Sequence, residues 1–251
     1  MNDKTEVISN ETAYIASIAL VNAGYEAGIL EKSDRTYAYN RLIACLDLDG
    51  SIQPDFSAGP QNRKIPECLQ DLISFAVGNH IIEDLFDYRE ILSAELMNCL
   101  MARPSEIVRY FDQTHENSPR QATDWFYQYC QDVQYIQVAR ICRNVSYKAE
   151  CEYGELDITI NLSKPEKNPT DIAAERNIVR SDYPRCLLCA ENEGYRGRIG
   201  HPARANHRLI SLPDLAGEQW FFQYSPYSYY NEHCIVLSEE HRPMKIDRNT
   251  F

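Results

Sequence analysis

The spacing of apolar residues changes near residue 150, and this change constrains the fold more than any other feature of the chain. From residue 11 to about residue 148, apolar side chains recur mostly at the spacing of amphipathic helices. Residues 156–162 instead alternate apolar and polar side chains, which predicts a strand with one buried face. The sequence therefore predicts an α+β protein, with a helical region over residues 1–150 and a mixed region over residues 151–251.

Local signals mark several element boundaries. Asn10 is placed to cap the first helix, and Gly24 is expected to weaken its interior. Thr170 is placed to cap a later helix. The predicted helices cover residues 11–31, 36–48, 66–101, 107–114, 123–141 and 170–180, and further strands cover residues 220–224 and 233–237.

The net charge argues against polyanionic partners. Asp and Glu outnumber Lys and Arg by 37 to 25, which gives a net charge of -12, and no basic run interrupts the acidic surface. We therefore expect neither a nucleic acid nor a membrane as partner. The first residues lack the pattern of a signal peptide, and no apolar stretch approaches the ~20 residues of a membrane span. Nine cysteines, an odd number, suit a reducing compartment, so the sequence predicts a cytoplasmic protein.

The most specific local motif is the Cys-x-x-Cys pair formed by Cys186 and Cys189. A tight turn can bring two such thiols to the ~2.3 Å zinc–sulfur distance of a tetrahedral site. A redox pair and two ordinary thiols are the alternatives, and the spacing alone leaves all three open. The candidates for the remaining ligands are the downstream histidines, His201, His207, His233 and His241. Of these, His241 has the setting of an exposed turn residue.

Two neighbouring segments have the composition of a phosphate- and base-binding region. Residues 195–208 hold four arginines and two glycines, a local reversal of charge that suits phosphate oxygens. Residues 221–233 are dense in aromatic side chains, which can stack on a base. The alternative for the arginine-rich segment is a solvated loop, and the alternative for the aromatic segment is a buried core or a subunit interface. The chain contains no Gly-x-Ser-x-Gly, Walker or His-Glu-x-x-His motif, so no motif supplies a nucleophile.

These motifs, in this order, resemble the second, bacterial class of galactose-1-phosphate (hexose-1-phosphate) uridylyltransferases. The match is dense from about residue 156 to residue 245, and the helical region is similar to the amino-terminal extension of the same class. The matching segments are residues 158–167 (ITINLSKPEK), 186–194 (CLLCAENEG), 200–204 (GHPAR), 220–227 (WFFQYSPY) and 230–236 (YNEHCIV).

The resemblance implies a fold and a reaction. The fold is the first part of a histidine-triad-like α+β domain with an antiparallel sheet, over residues 151–251. The reaction transfers UMP from UDP-glucose to galactose 1-phosphate, giving UDP-galactose and glucose 1-phosphate in galactose metabolism. It follows a ping-pong route through a uridylylated histidine.

The resemblance also implies roles for individual residues. Cys186, Cys189 and His241 match three of four zinc ligands of the first class, so zinc is the expected metal. The family's nucleophile lies in a His-x-His segment, and this chain has none, so we expect no catalytic residue in it and no transferase activity from it alone. A homodimer is compatible with the resemblance. Two alternatives stay open: a nucleotide-binding module without catalysis and a helical interaction protein. The residues expected to contact substrate are Arg198, Arg204, Asn206, Arg208, Tyr227 and Asn231.

Overall fold

Helices fill the first part of the chain and strands dominate the last part. The computed structural model describes residues 9–57, 62–164, 168–176, 178, 181–215 and 217–242. In these residues the helices are α1 (Asn10–Glu26), α2 (Arg35–Cys45), α3 (Ile65–Gly78), α4 (Phe86–Asn98), α5 (Pro104–Asn117), α6 (Pro119–Asp132), α7 (Val138–Ile141) and α8 (Pro169–Arg176). The strands are β1 (Val145–Cys151), β2 (Gly154–Ile160), β3 (Ile210–Leu215), β4 (Glu218–Tyr224) and β5 (Cys234–Ser238). This arrangement confirms the predicted α+β class.

Helix α1 lies at the centre of the helical part, against α2 and α3. Its residues from Ala13 to Gly24 are almost all buried, so α1 is apolar or small around most of its surface and is not the amphipathic helix that its spacing predicts. Ser9, and not Asn10, caps its start: the Ser9 side-chain oxygen accepts a hydrogen bond from the Thr12 amide at 3.2 Å.

Gly24 allows this close packing. A Cβ atom added there would lie 2.5 Å from a Leu100 methyl group and 2.9 Å from a Leu30 methyl group. We expect Gly24→Ala to lower the free energy of unfolding by ~1–3 kcal/mol through overpacking, although alanine is the better helix former. Denaturant unfolding of Gly24→Ala, alone and combined with Leu100→Ala, tests this. A cost that stays the same when Leu100 is truncated would contradict the proposed clash.

Aromatic side chains join the helices to the second sheet. Phe126 of α6 is fully buried, and its ring centroid lies 5.8 Å from that of Phe222 and 5.7 Å from that of Tyr224, both on β4. The Tyr224 hydroxyl donates to the Thr123 carbonyl at 3.1 Å. One hydrophobic core therefore includes residues from both predicted regions. The division into domains at residue 150 stays a prediction.

The sheets contain two departures from the sequence-based expectation. Strand β1 lies within the region predicted to be helical and forms an antiparallel hairpin with β2. Most residues of this hairpin are exposed on both faces, and Leu156 and Ile160 are about half exposed, so the predicted buried face of this strand is wrong. The second sheet has the order β3-β4-β5, is antiparallel throughout and contains both strands predicted near its end.

Three helix predictions also need correction. The predicted helix over residues 66–101 is two helices, because α3 ends at Gly78 and His80 adopts a left-handed backbone conformation with a φ of 58° before α4 begins at Phe86. The predicted helix over residues 123–141 is two helices, because α6 ends at Asp132 and Gln134 adopts a left-handed backbone conformation with a φ of 57°. The amide of Asp171 donates to the Asn168 side chain at 3.0 Å, so Asn168, not Thr170, caps α8. The Asp171 carboxylate also accepts from the Phe86 amide at 2.9 Å, which attaches α8 to the start of α4.

No helix in the described part of the chain has both the length and the apolar character that crossing a bilayer requires.

Candidate functional site

A cavity of about 350 Å³ lies between α4, the segment that follows α6, and the loop at residues 200–206. Its wall combines planar rings, cationic side chains, amides and the carboxylates of Asp87 and Glu90, of which Glu90 is paired with Arg140. The rings and the cations suit a ligand with both a ring and negative charge. The lining residues that carry this chemistry are Tyr135, Arg140, Lys164, Arg204, Asn206 and Tyr227.

Two arginines of the cavity have different surroundings. Arg140 makes a two-pronged ion pair with Glu90, with nitrogen–oxygen distances of 2.6 Å and 2.9 Å. Arg204 is only 9% exposed, and its guanidinium carbon lies 5.6 Å from the centre of the Tyr135 ring. Its Nη1 donates to the Ala203 carbonyl at 3.0 Å. Among the described residues no carboxylate pairs with Arg204, which therefore brings a nearly buried cation to the cavity.

The imidazoles nearest the cavity favour the neutral form. Burial lowers the pKa of His201, which lines the cavity, below its usual value. His207 stacks on Tyr135, with ring centroids 4.5 Å apart, and burial beside Arg204 and Arg208 lowers its pKa well below the usual value. Burial thus favours the uncharged form of both rings, and the arginines carry the positive charge on this side of the cavity.

The loop that carries Arg204 is folded back on itself. The amide of Arg204 donates to the Tyr195 carbonyl at 2.9 Å, and the amide of Gly194 donates to the Arg204 carbonyl at 3.1 Å. Gly197 allows this fold, because its φ is +97° and an added Cβ would lie 2.7 Å from the Ala203 Cα. Backbone pairing therefore fixes the loop that forms one wall of the cavity.

The structure separates the six predicted substrate-contact residues into two sets. Arg204, Asn206 and Tyr227 line the cavity. The Asn206 side-chain amide donates to the Val133 carbonyl at 2.9 Å, which orients this residue.

Arg198, Arg208 and Asn231 do not line this cavity. Arg208 is buried and donates to the carbonyls of Ala102, Ala205 and His207 and to the Asn98 side chain at 2.7 Å. Arg208 thus joins the loop to the end of α4. Arg198 donates to the Ser181 carbonyl at 3.2 Å, and Asn231 lies exposed in the turn before β5.

Sequence reasoning did not find the part of the cavity that the helices supply. Glu90 and Arg140 are 50 residues apart, and no spacing rule relates them before the chain folds. Lys164 lies inside the 158–167 segment that carries part of the resemblance, which is the signal that could have indicated it.

A second site lies at the Cys-x-x-Cys turn. The Sγ atoms of Cys186 and Cys189 are 2.9 Å apart, and the Nδ1 atom of His241 lies 2.9 Å from the Cys189 Sγ. The three donor atoms all lie within 4.8 Å of one another and could hold a metal ion. His201, His207 and His233 are not members of this cluster.

Buried hydrogen bonds shape the turn. The side chain of Asn192, itself only 1% exposed, donates to the carbonyls of Cys186 and Cys189 at 2.6 Å and 2.9 Å. The side chain of Gln223 on β4 donates to the Leu188 carbonyl at 3.3 Å, which holds the turn against the second sheet. Burial raises the pKa of the Cys189 thiol to about 12, so a bound cation is what would favour its thiolate.

The fold and the two sites define an α+β protein with a ligand cavity beside a candidate metal centre. The family model for the N-terminal domain of galactose-1-phosphate uridyl transferase matches residues 29–243. The chain therefore belongs to this family.

Named relatives support the assignment. The chain is 46% identical over 233 residues to the galactose-1-phosphate uridylyltransferase of Butyrivibrio fibrisolvens. It is 45% identical over 236 residues to that of Clostridium perfringens and 45% identical over 234 residues to that of Bacillus subtilis. These matches cover 92% of the chain but only 59%, 46% and 45% of the three relatives, so the chain spans about half of their length. No solved structure matches the chain significantly.

Proposed function

We propose that the chain serves in the transfer of UMP from UDP-glucose to galactose 1-phosphate, which gives UDP-galactose and glucose 1-phosphate. The observation that carries this proposal is the identity of about 45% over 92% of the chain to proteins named galactose-1-phosphate uridylyltransferase. A ping-pong route through a uridylylated histidine is part of the proposal. Because these 251 residues contain no His-x-His segment, the part assigned to this chain is binding of the nucleotide sugar.

The cavity is the proposed binding site. A diphosphate would place negative charge beside the nearly buried Arg204 guanidinium. This group has five N–H donors, and its Nη1 donates a hydrogen bond to one carbonyl. Lys164 adds a second cation on the cavity wall, whereas Arg140 is already paired with Glu90. Tyr227 offers a planar surface and a hydroxyl to the base and ribose. Arg204, Asn206 and Tyr227 are thus the proposed substrate contacts.

Zinc is the proposed metal at the second site. Two thiols and an imidazole are donors that zinc prefers, and Cys186, Cys189 and His241 would fill three of its four tetrahedral positions. With zinc–sulfur bonds of ~2.3 Å, two sulfur ligands of a tetrahedral zinc ion lie about 3.8 Å apart. Zinc binding therefore requires the two Sγ atoms to move apart by slightly less than ~1 Å. When bound, zinc would supply a structural cross-link between the turn at Cys186 and the residues after β5.

Substitution of Arg204 tests the cavity assignment. We expect Arg204→Gln to weaken binding of UDP-glucose about 10- to 100-fold, because a charge-assisted hydrogen bond to phosphate is lost in a nearly buried place. Titration calorimetry on the 251-residue chain measures this, with the exposed Arg109→Gln as the matched control. Arg204→Lys, which keeps the charge, should retain more affinity than Arg204→Gln.

Two outcomes would count against this assignment. Equal affinity of Arg204→Gln and the unchanged chain would show that the nucleotide sugar binds elsewhere. Equal affinity for UDP-glucose and ADP-glucose would contradict recognition of uridine. Thermal unfolding of each variant separates a loss of affinity from a loss of fold.

The homodimer and the cytosolic location stay predictions. The nine cysteines are all free thiols, which supports a reducing location.

A further inference from the structure

A second pair of thiols lies outside both sites described above. Cys45 ends α2 and Cys99 follows α4, and their Sγ atoms are 3.7 Å apart although 54 positions separate the residues in sequence. Cys45 is partly exposed, whereas Cys99 is buried. The proposed nucleotide and zinc sites use neither residue.

We propose that Cys45 and Cys99 form a reversible disulfide by exchange with a low-molecular-weight disulfide of the oxidised glutathione class. The two sulfurs are already in contact, and a bond requires them to close from 3.7 Å to about 2.05 Å. A partly exposed thiol beside a buried one is the arrangement of an attacking and a resolving cysteine.

The neighbouring groups give the two thiols different roles. The hydrogen bond from Cys99, aided by Arg41 and Arg196, lowers the pKa of Cys45 to about 7 despite its burial and the nearby Glu95 carboxylate. The same contact, together with burial, raises the pKa of Cys99. Cys45 is therefore the thiolate that attacks first, and Cys99 remains protonated until a mixed disulfide has formed.

The reaction proceeds in two exchanges. The Cys45 thiolate attacks one sulfur of the small disulfide, which forms a mixed disulfide and releases one small thiolate. Cys99 then gives up its proton and attacks the Cys45 sulfur, which breaks the mixed disulfide and releases the second small thiol. The protein loses two electrons and two protons, and the small disulfide gains them as two thiols. Excess small thiol reverses both steps.

Other cysteines of the chain lack this combination. Burial raises the pKa of Cys68 to about 11 and also raises that of Cys130, so neither thiol is readily ionised. Cys142, Cys151 and Cys234 are exposed, and none of them makes a hydrogen bond to another thiol of the described residues. Cys186 and Cys189 are close together but belong to the candidate metal centre.

A bond between Cys45 and Cys99 would fasten α2 to the end of α4, the helix that lines the cavity. Glu95, one helical turn before Cys99, pairs with Arg196 at 3.0 Å on the loop that leads to the cavity. Since the bond closes a long loop, we expect oxidation to raise Tm by roughly 5–10 °C.

Peptide mapping of the full chain tests the proposal. The chain is incubated with oxidised glutathione, its remaining thiols are alkylated, and it is digested with trypsin without reduction. Cys45 then lies on the peptide of residues 42–63 and Cys99 on that of residues 90–109, each with a single cysteine. We expect these two peptides to be joined, and the Tm to rise and return on addition of reduced glutathione.

Two variants keep the result decisive. Cys99→Ala should hold Cys45 as the mixed disulfide and abolish the rise in Tm, whereas the control Cys142→Ser should behave as the unchanged chain does. A stable mixed disulfide at Cys45 in the unchanged chain, or two free thiols while Cys142 reacts, would overturn the proposal.

Discussion

Replacing Cys189 by Ser is expected to reduce bound zinc from about one ion per chain to a small fraction of that, because a thiolate ligand at the centre of the three-donor cluster is lost. Cys189 is the residue that contacts both other donors, at 2.9 Å each. Metal analysis of protein prepared with excess zinc measures the loss. His241→Gln should have the same direction of effect, since it removes the donor that follows β5 and lies 2.9 Å from the Cys189 Sγ.

The matched control is Cys142→Ser, which removes an exposed thiol outside the cluster. Chelation should lower the Tm of the unchanged chain and of this control, and should leave the Tm of Cys189→Ser where it was. Zinc-free protein after preparation with excess metal would refute the zinc assignment. So would full zinc content in both Cys189→Ser and His241→Gln.

Truncation of Phe126 is expected to lower the free energy of unfolding by ~3–5 kcal/mol, the cost of a cavity in place of a fully buried ring. The ring packs against α5 and β4, with its centroid 6.1 Å from that of Phe111 and 5.8 Å from that of Phe222. At the scale of this chain the loss corresponds to a fall in Tm of roughly 10 °C or more. Thermal and denaturant unfolding of Phe126→Ala measure it.

Tyr37→Ala serves as the control, because this ring is 67% exposed on α2 and its removal should change stability by less than ~0.5 kcal/mol. The shape of the unfolding curve carries further information. A continuous core predicts one transition that moves as a whole when Phe126 is truncated. Two transitions, with only one displaced, would instead support separate domains on either side of residue 150.

Much of the architecture was accessible from local patterns. The runs at residues 220–224 and 233–237 predicted strands, and both lie in the antiparallel second sheet. Predictions from apolar spacing failed where a strand exposes its apolar residues or where a turn buries them. The hairpin of β1 and β2 is largely exposed, so apolar spacing could not reveal β1. Residues 133–136 form a turn, yet their apolar side chains are buried. Apolar periodicity cannot distinguish such a turn from the last residues of a helix.

The candidate sites show the same limit at the level of single residues. Arg204 and Arg208 stand four residues apart in one Arg-rich loop, and nothing in their spacing separates them. In the folded chain Arg204 lines the cavity, whereas Arg208 donates to the Ala102 carbonyl just after α4 and to the Ala205 carbonyl of its own loop. An arginine's role depends on which acceptors surround it, and two of the acceptors of Arg208, Ala102 and Asn98, are about a hundred positions away in sequence.

By itself, the sequence determined the α+β class, the family and the Cys-x-x-Cys turn, because these depend on local periodicity, short-range spacing and ordered motifs. Only the tertiary structure decided the rest. It brought His241 to Cys189 across 52 positions and Arg140 to Glu90 across 50, and it placed Cys45 against Cys99. The physical reason is that packing of helices and strands around a shared core sets such distances, and no pattern within one segment encodes them.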